Sequence, residues 1–134
     1  MMVNNGYNQY KENSVYTATP EELTLMLYNG LVKFIMMAQS AIDEKNIERA
    51  NNSIIRAQDI VREFQVTLNI KYEVSKHLDN IYDYMHRRLI QANIEKDKVI
   101  LEEVLGMAKE LRNTWTQAMK LAKRPVTSTE QAAR

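Results

Sequence analysis

The residues best suited to chemistry in this chain are two histidines, His77 and His86, and the carboxylate near one of them. The histidines are nine residues apart, so on a helix they point in roughly opposite directions and cannot converge on one ligand. Asp83 and His86 have the i, i+3 spacing of the carboxylate and histidine pair in a di-iron helical bundle. That site needs a second such pair and further inward glutamates. The sequence contains no second pair, so no metal centre is predicted.

Other catalytic chemistry also lacks its residues. The chain has no cysteine, which excludes a disulfide framework, a thiolate zinc site and a cysteine nucleophile. It contains no phosphate-binding glycine loop, no GxSxG nucleophile turn and no HExxH zinc motif. We therefore expect a protein that is not an enzyme and that holds neither a cofactor nor a metal.

The composition indicates one soluble, all-helical domain. The chain has 134 residues, 45% hydrophobic and 26% charged, with only three glycines and two prolines, too few for the many turns of a β-sandwich or barrel. A formal net charge of +1 offers no field that would attract nucleic acid or an anionic membrane. The N-terminus has no long apolar run, so neither a signal peptide nor membrane insertion is expected.

Helical periodicity predicts where the helices lie. Residues 1–18 are polar with isolated apolar side chains, which indicates an extended, flexible N-terminal arm. Thr19, Pro20 and Glu22 form a strong helix start, and the first predicted helix runs to about Glu44. Three further apolar stripes follow, with a turn over 93–97 that Asp97 caps. The prediction is an antiparallel up-down four-helix bundle over 19–124 and a disordered tail over 125–134.

The inward face predicted for each helix is a stripe of apolar residues at three- and four-residue spacing. In the first helix it comprises Leu23, Leu27, Gly30, Phe34, Ala38 and Ala41. In the second it comprises Ile47, Ala50, Ile54, Ala57, Val61, Phe64 and Leu68. In the third it comprises Val74, Leu78, Ile81, Met85, Leu89 and Ala92. In the fourth it comprises Leu101, Val104, Ala108, Leu111, Trp115, Ala118 and Ala122.

The first helix is more apolar than a surface helix needs to be, because it carries a second stripe beyond the one assigned to the core. This second stripe comprises Leu25, Tyr28, Val32, Ile35 and Met36. Two interpretations stay open at this point. Either the helix is central and enclosed on both sides, or the second stripe is covered by a partner when one is present.

Two further groups of apolar residues are candidates for contact with a partner. Ile55, Val66 and Ile70 lie off the core face of the second helix, where scattered surface residues are the simpler explanation. In the arm, Tyr7, Tyr10 and Val15 are apolar anchors able to cover an apolar groove. A groove with its own removable cover is typical of a protein that binds an extended apolar peptide.

The residues also resemble a known family. The spaced pair Tyr7 and Tyr10, the run SVYTATPEELTLMLYNG over 14–30, the run IYDYMHRRL over 81–89 and the Trp115 region are similar to motifs of the FliS family. The match covers residues 7 to about 122 in the same order and spacing. Tyr7, Tyr10 and Val15 correspond to arm positions, and the positions that match the first-helix motif are Leu23, Leu27, Tyr28 and Gly30.

The resemblance implies a function. Members of the family are cytoplasmic bacterial export chaperones that bind the disordered C-terminal segment of flagellin and prevent its premature polymerisation. The arm covers part of the binding surface in the free protein, and its tyrosines are implicated in delivery to the cytoplasmic domain of the flagellar export gate. The alternative is a self-associating structural or adaptor bundle, whose second stripe would form a weak homodimer interface without client.

Overall fold

The computed structural model describes residues 17–68 and 73–122, and within these ranges the chain forms four α-helices and no strand. The helices are α1 (Pro20–Asp43), α2 (Ile47–Thr67), α3 (Glu73–Glu95) and α4 (Lys98–Ala122). Both α1 and α3 pack against α2 and α4, so the helices form a ring in chain order. The predicted all-α, four-helix bundle is confirmed. The arm residues Tyr7, Tyr10 and Val15, the tail over 125–134 and Ile70 lie outside the described residues.

Side-chain caps set the first residue of three helices. Thr19 Oγ1 accepts a hydrogen bond of 3.1 Å from the Glu22 amide, and Pro20 occupies the first turn of α1. Asn46 Oδ1 accepts from the Arg49 amide at 3.1 Å, and Asp97 Oδ1 accepts from the Val99 amide at 2.8 Å. These bonds satisfy amides that have no carbonyl partner inside the helix. The helix starts predicted at Thr19 and Asp97 are confirmed.

The two connections within the described ranges are short because each contains a lysine in the left-handed backbone region. Lys45 has φ 60° and Lys96 has φ 51°, and each ends the preceding helix in the way that a glycine commonly does. The predicted turn over 93–97 is shorter than expected, since α3 continues to Glu95. Asn93 is therefore helical, and its side-chain Nδ2 donates to Asn51 Oδ1 on α2 at 2.8 Å.

The core face of α1 differs from the predicted stripe. Its buried residues are Tyr28, Leu31, Val32, Ile35, Ala38 and Ala41. Three of them belong to the second stripe, so enclosure by neighbouring helices explains Tyr28, Val32 and Ile35. The stripe assigned to the core is fully buried only at Ala38 and Ala41, while Leu23, Leu27 and Phe34 are half-buried. The reason is that α1 contacts both α2 and α4 and so buries an arc set between them.

The predicted stripes of the other helices are correct in the middle and wrong at their ends. Ala50, Ile54, Ala57, Val61 and Phe64 of α2 are all buried, as are Met85, Leu89 and Ala92 of α3 and Leu101, Val104 and Ala108 of α4. Ile47 and Val74, in contrast, are 56% and 65% exposed, and Ala118 and Ala122 are also exposed. These residues lie towards the ends of their helices, where the part of the bundle that the structure describes leaves the inward face open.

Three aromatic rings tie α1, α2 and α3 together inside the core. Phe64 stacks between Tyr28 and Tyr82, with ring centroids 4.4 Å and 5.3 Å apart. The hydroxyls of Tyr28 and Tyr82 share a buried hydrogen bond of 2.6 Å. Burial raises the pKa of both phenols, so both are neutral at physiological pH. The pair satisfies two polar atoms that would otherwise be buried without a partner.

By length and composition, α1 is also apolar enough to cross a membrane. The structure accounts for part of this composition in another way, because α1 packs against both α2 and α4 and its core residues include Leu31 and Ile35, both fully buried. A central helix of a bundle and a membrane-spanning helix satisfy the same compositional test.

We expect Tyr28→Phe or Tyr82→Phe to lower the free energy of unfolding by about 1–3 kcal/mol, because each leaves the other hydroxyl buried without a partner. The double variant removes both hydroxyls and should cost clearly less than the sum of the single changes. Urea unfolding followed by circular dichroism measures all four proteins. Additive losses would show that the two hydroxyls do not interact in the folded state.

Candidate binding groove between the first two helices

The half-buried residues of α1 line a groove along its outer contact with α2. At one end is an apolar hollow of about 610 Å³. Its lining residues are Pro20, Leu23, Thr24, Met26 and Leu27 of α1, with Glu63, Phe64 and Thr67 of α2. We call this the apolar hollow. Most of its surface is hydrocarbon, and its Met26 side chain is 39% exposed, so it offers a site for apolar side chains of a partner.

The opposite end of the groove is lined by a mixture of apolar and charged residues. This hollow, of about 350 Å³, is lined by Phe34, Met37, Asn46, Glu48, Arg49, Asn52, Ser53 and Arg56. We call it the basic hollow. The Phe34 ring forms its apolar part, and the cationic groups of Lys33 and Arg56 lie 5.4 Å and 5.5 Å from that ring centroid. At this distance both cations interact favourably with the ring.

Gly30 lies between the two hollows, where α1 and α2 are close. A Cβ built on Gly30 would lie 3.3 Å from Ile60 Cδ1, which is tighter than an ordinary van der Waals contact. The absence of a side chain therefore lets Ile60 pack over the α1 backbone. The two hollows therefore lie on either side of this close contact, and the α1 residues that line them run from Pro20 to Met37, a length of about 26 Å.

The remaining sequence-predicted contact residues are dispersed over the surface. Leu25 is half-buried, Met36 is 49% exposed on the outer side of α1, and Ile55 and Val66 are exposed on α2. Met36 and Met37 line a further shallow depression with Lys33 and Ser40, next to the basic hollow. The second stripe of α1 is therefore not a continuous surface, and of its residues Leu25 and Met36 alone are accessible.

The groove residues Leu23, Met26, Leu27, Phe34 and Met37 were not among the contact residues predicted from the sequence, although Leu23 and Leu27 match the first-helix motif of the family. Leu23, Leu27 and Phe34 were predicted to lie in the core because their spacing is that of an inward stripe. Gly30 was the available signal, since a glycine inside a helix indicates a close approach of another element. Its place on the same stripe as Leu27 and Phe34 would have identified the face that meets α2.

The titratable residues considered for catalysis have structural explanations. Burial lowers the pKa of His86, and Arg62 lowers it further, while Asp83 and Asp59 act in the opposite direction. His86 is therefore mostly neutral at pH 7. Among the residues that the structure describes, no three histidine, aspartate or glutamate side chains lie close enough together to hold a metal ion.

The basic pair that follows His86 is engaged in ion pairs. Arg87 Nε donates to Asp83 Oδ2 of the same helix at 3.0 Å, and Arg88 Nε donates to Glu103 Oε1 of α4 at 2.8 Å. Tyr84 donates to the other Glu103 oxygen at 2.8 Å. The hydrogen bond from Arg88 and that from Tyr84 lower the pKa of Glu103. Arg88 and Tyr84 thus join α3 to α4 through Glu103.

Comparison with known proteins identifies the family. The family described as "Flagellar protein FliS" matches residues 3–122. The chain is 50% identical over 119 residues to the flagellar secretion chaperone FliS of Bacillus subtilis, a match that covers 89% of this chain and 90% of the relative. It is 30% identical to the protein of that name from Campylobacter jejuni, covering 87% and 93% of the two chains.

A more distant relative extends the same match. The flagellar secretion chaperone FliS of Escherichia coli is 28% identical over 111 residues, which cover 81% of this chain and 82% of that protein. The family match includes all four helices and therefore both walls of the groove. The resemblance found in the sequence is confirmed: this chain belongs to the FliS family of flagellar secretion chaperones.

Proposed function

We propose that this protein is a cytoplasmic export chaperone that binds the disordered C-terminal segment of flagellin, prevents its premature polymerisation and delivers it to the flagellar export apparatus. The observation that carries this proposal is the groove between α1 and α2, in a chain whose relatives are named flagellar secretion chaperones. The activity needs no catalysis, because a chaperone of this kind acts by covering the surfaces through which its client would assemble.

The shape of the groove suits an initially unfolded client. Ordering such a segment costs about 2–5 kcal/mol of the gross interaction energy, so many modest contacts over a long surface are needed. The groove has apolar surface at both ends of a path of about 26 Å, which is the length of α1 from Pro20 to Met37. Met26 and Met37 supply flexible thioether side chains that adapt to different client residues.

Other accessible apolar residues are candidates for contact outside the groove. Leu25 and Met36 on α1, with Ile55 and Val66 on α2, are in our proposal secondary contacts for a segment that wraps around the bundle. Ile70 is assigned to the same group by sequence. Tyr28, Val32 and Ile35 are not proposed as contacts in this form of the protein, because all three are buried in the core.

The position of the N-terminus supports a role for the arm. Pro20, the first residue of α1, lines the apolar hollow, so the preceding chain begins beside it. We assign Tyr7, Tyr10 and Val15 to an arm that covers this hollow when no client is bound. Displacement of the arm by flagellin would free its tyrosines for the cytoplasmic domain of the export gate. This assignment rests on the family resemblance and on the place where α1 begins.

We expect the protein to bind full-length flagellin and to lose this binding when the C-terminal segment of flagellin is deleted. The groove has apolar surface that can bind the apolar side chains of a disordered segment, whereas the folded part of flagellin already buries its own apolar side chains. Isothermal titration calorimetry with both flagellins measures the difference, and the isolated C-terminal peptide is the positive control. Equal affinity for the two flagellins, or no heat with either, contradicts the proposed function.

We expect Met26→Asp to weaken flagellin binding roughly tenfold or more, because it introduces a charge where an apolar client side chain would be buried. Val99→Asp is the matched control, since Val99 is an exposed apolar residue on α4, outside the groove. Both variants should keep the helical circular dichroism of the parent. If Val99→Asp weakens binding as much as Met26→Asp, the groove is not the binding surface.

A self-associating bundle is the second candidate function, favoured by exposed isoleucines on the α2 and α3 surface. Ile47 and Ile55 lie one turn on either side of Asn51, which contacts Asn93, and Ile90 lies one turn before Asn93. Multi-angle light scattering distinguishes the two functions. A monomer, or a weak dimer that dissociates when flagellin is added, agrees with the chaperone. A stable dimer that ignores flagellin would establish the alternative.

A further inference from the structure

Lys33 is the one charged residue between Leu23 and Ile42, a stretch that is most of α1. Its ammonium nitrogen lies 5.4 Å from the centroid of the Phe34 ring. The guanidinium carbon of Arg56, on α2, lies 5.5 Å from the same centroid. Two cations from two helices are therefore gathered around one half-buried aromatic ring at the basic hollow.

Neither cation has a carboxylate partner in the part of the chain that the structure describes. The ion pairs found there join Arg49 to Glu44, Arg87 to Asp83, Arg88 to Glu103 and Lys98 to Asp43. Arg49 shows that a pair forms in this region when a carboxylate is within reach, at 3.0 Å. Because α1 supplies no carboxylate between Leu23 and Ile42, Lys33 has no acidic neighbour on its own helix.

We infer that the basic hollow is a subsite for an aspartate or glutamate side chain of the docked segment. Phe34 and Met37 would contact an apolar side chain of that segment, and Lys33 and Arg56 would bind a carboxylate within about one turn of it. An arginine keeps its stacking on a ring while its N–H groups bind a carboxylate, which makes the two contacts compatible. The inference rests on the proposed function, since it describes the chemistry of the flagellin segment.

The apolar hollow, at the other end of the groove, has no exposed cation among its described lining residues to bind a carboxylate. Glu63 lines the apolar hollow, and that hollow contains no lysine or arginine among its lining residues. The basic hollow also contains Glu48, but Lys33 and Arg56, which form no ion pair among the described residues, outnumber it. A carboxylate would therefore be repelled at Glu63 and attracted at Lys33 and Arg56. The charge difference between the two hollows therefore gives the groove a direction: the acidic part of the client segment lies at the Phe34 end, and its uncharged apolar part lies at the Leu23 end.

The test compares two double charge reversals in the full chain. The variant Lys33→Glu with Arg56→Glu reverses the charge of the subsite. In Lys76→Glu with Lys109→Glu, an exposed cation on α3 and one on α4 are reversed, which gives the same change in net charge. Neither lysine lines a hollow of the groove or forms an ion pair among the described residues. Calorimetry with the flagellin C-terminal segment should give a dissociation constant about tenfold higher for the first variant at about 0.1 M salt, and close to that of the parent for the second. The difference should shrink at about 1 M salt, where the charges are screened.

Changes on the client side make the assignment specific. Each aspartate and glutamate of the flagellin C-terminal segment is replaced in turn by its amide. One replacement should weaken binding to the parent protein and have little further effect on the Lys33→Glu, Arg56→Glu variant. Replacement of that same residue by lysine should restore affinity for the variant.

The outcomes separate this inference from the proposed function. If the parent does not bind flagellin, the proposed function fails. If the parent binds and the two double variants bind equally well, or if no client carboxylate is coupled to Lys33 and Arg56, the subsite is wrong while the function stands. A further outcome is that the reversal leaves the affinity for flagellin unchanged and alters how the protein associates with itself when no client is present. In that case a second copy occupies the hollow and the inference is overturned.

Discussion

The structure depends on the burial of α1. Between Leu23 and Ile42 this helix has one charged residue, so it cannot expose a wide face to water. The bundle meets this constraint by placing α1 against both α2 and α4, with Tyr28, Leu31 and Ile35 on the arc between them. Enclosure is nevertheless incomplete. The side of α1 that carries Leu23, Leu27 and Phe34 is only half covered by α2, and this remainder forms the groove.

The groove is consequently part of the same packing that holds the bundle together. Phe64 stacks with Tyr28 and Tyr82 in the core and also lines the apolar hollow. Gly30 lets Ile60 approach the α1 backbone between the two hollows. A segment in the groove would therefore lie against core residues held in place by tight packing, which lowers the entropy that the chaperone itself loses on binding.

The helices and the bundle follow from the sequence, because capping residues and apolar periodicity are local signals that Thr19, Asp97 and the stripes of α2 to α4 display clearly. The assignment of faces on α1 did not follow. Both of its stripes are apolar, and the choice between them depends on which helices flank it. Tyr28 and Tyr82 illustrate the limit, since their hydroxyls satisfy each other across 54 residues of sequence and no local pattern shows that pairing. The position of Arg56 over Phe34 is likewise a product of how α2 docks.

The two short turns also affect how quickly the bundle folds after synthesis. The connection between α1 and α2 is only Glu44 to Asn46, and that between α3 and α4 is only Lys96 to Asp97. The two helices that each connection joins are therefore neighbours in sequence as well as in space. Helical bundles dominated by such local contacts fold in microseconds to milliseconds. Ribosomes add only about 5–20 residues per second. The packing of the four described helices is therefore limited by the rate of synthesis and not by the rate of folding, so the groove between α1 and α2 would form almost as soon as α4 leaves the ribosome.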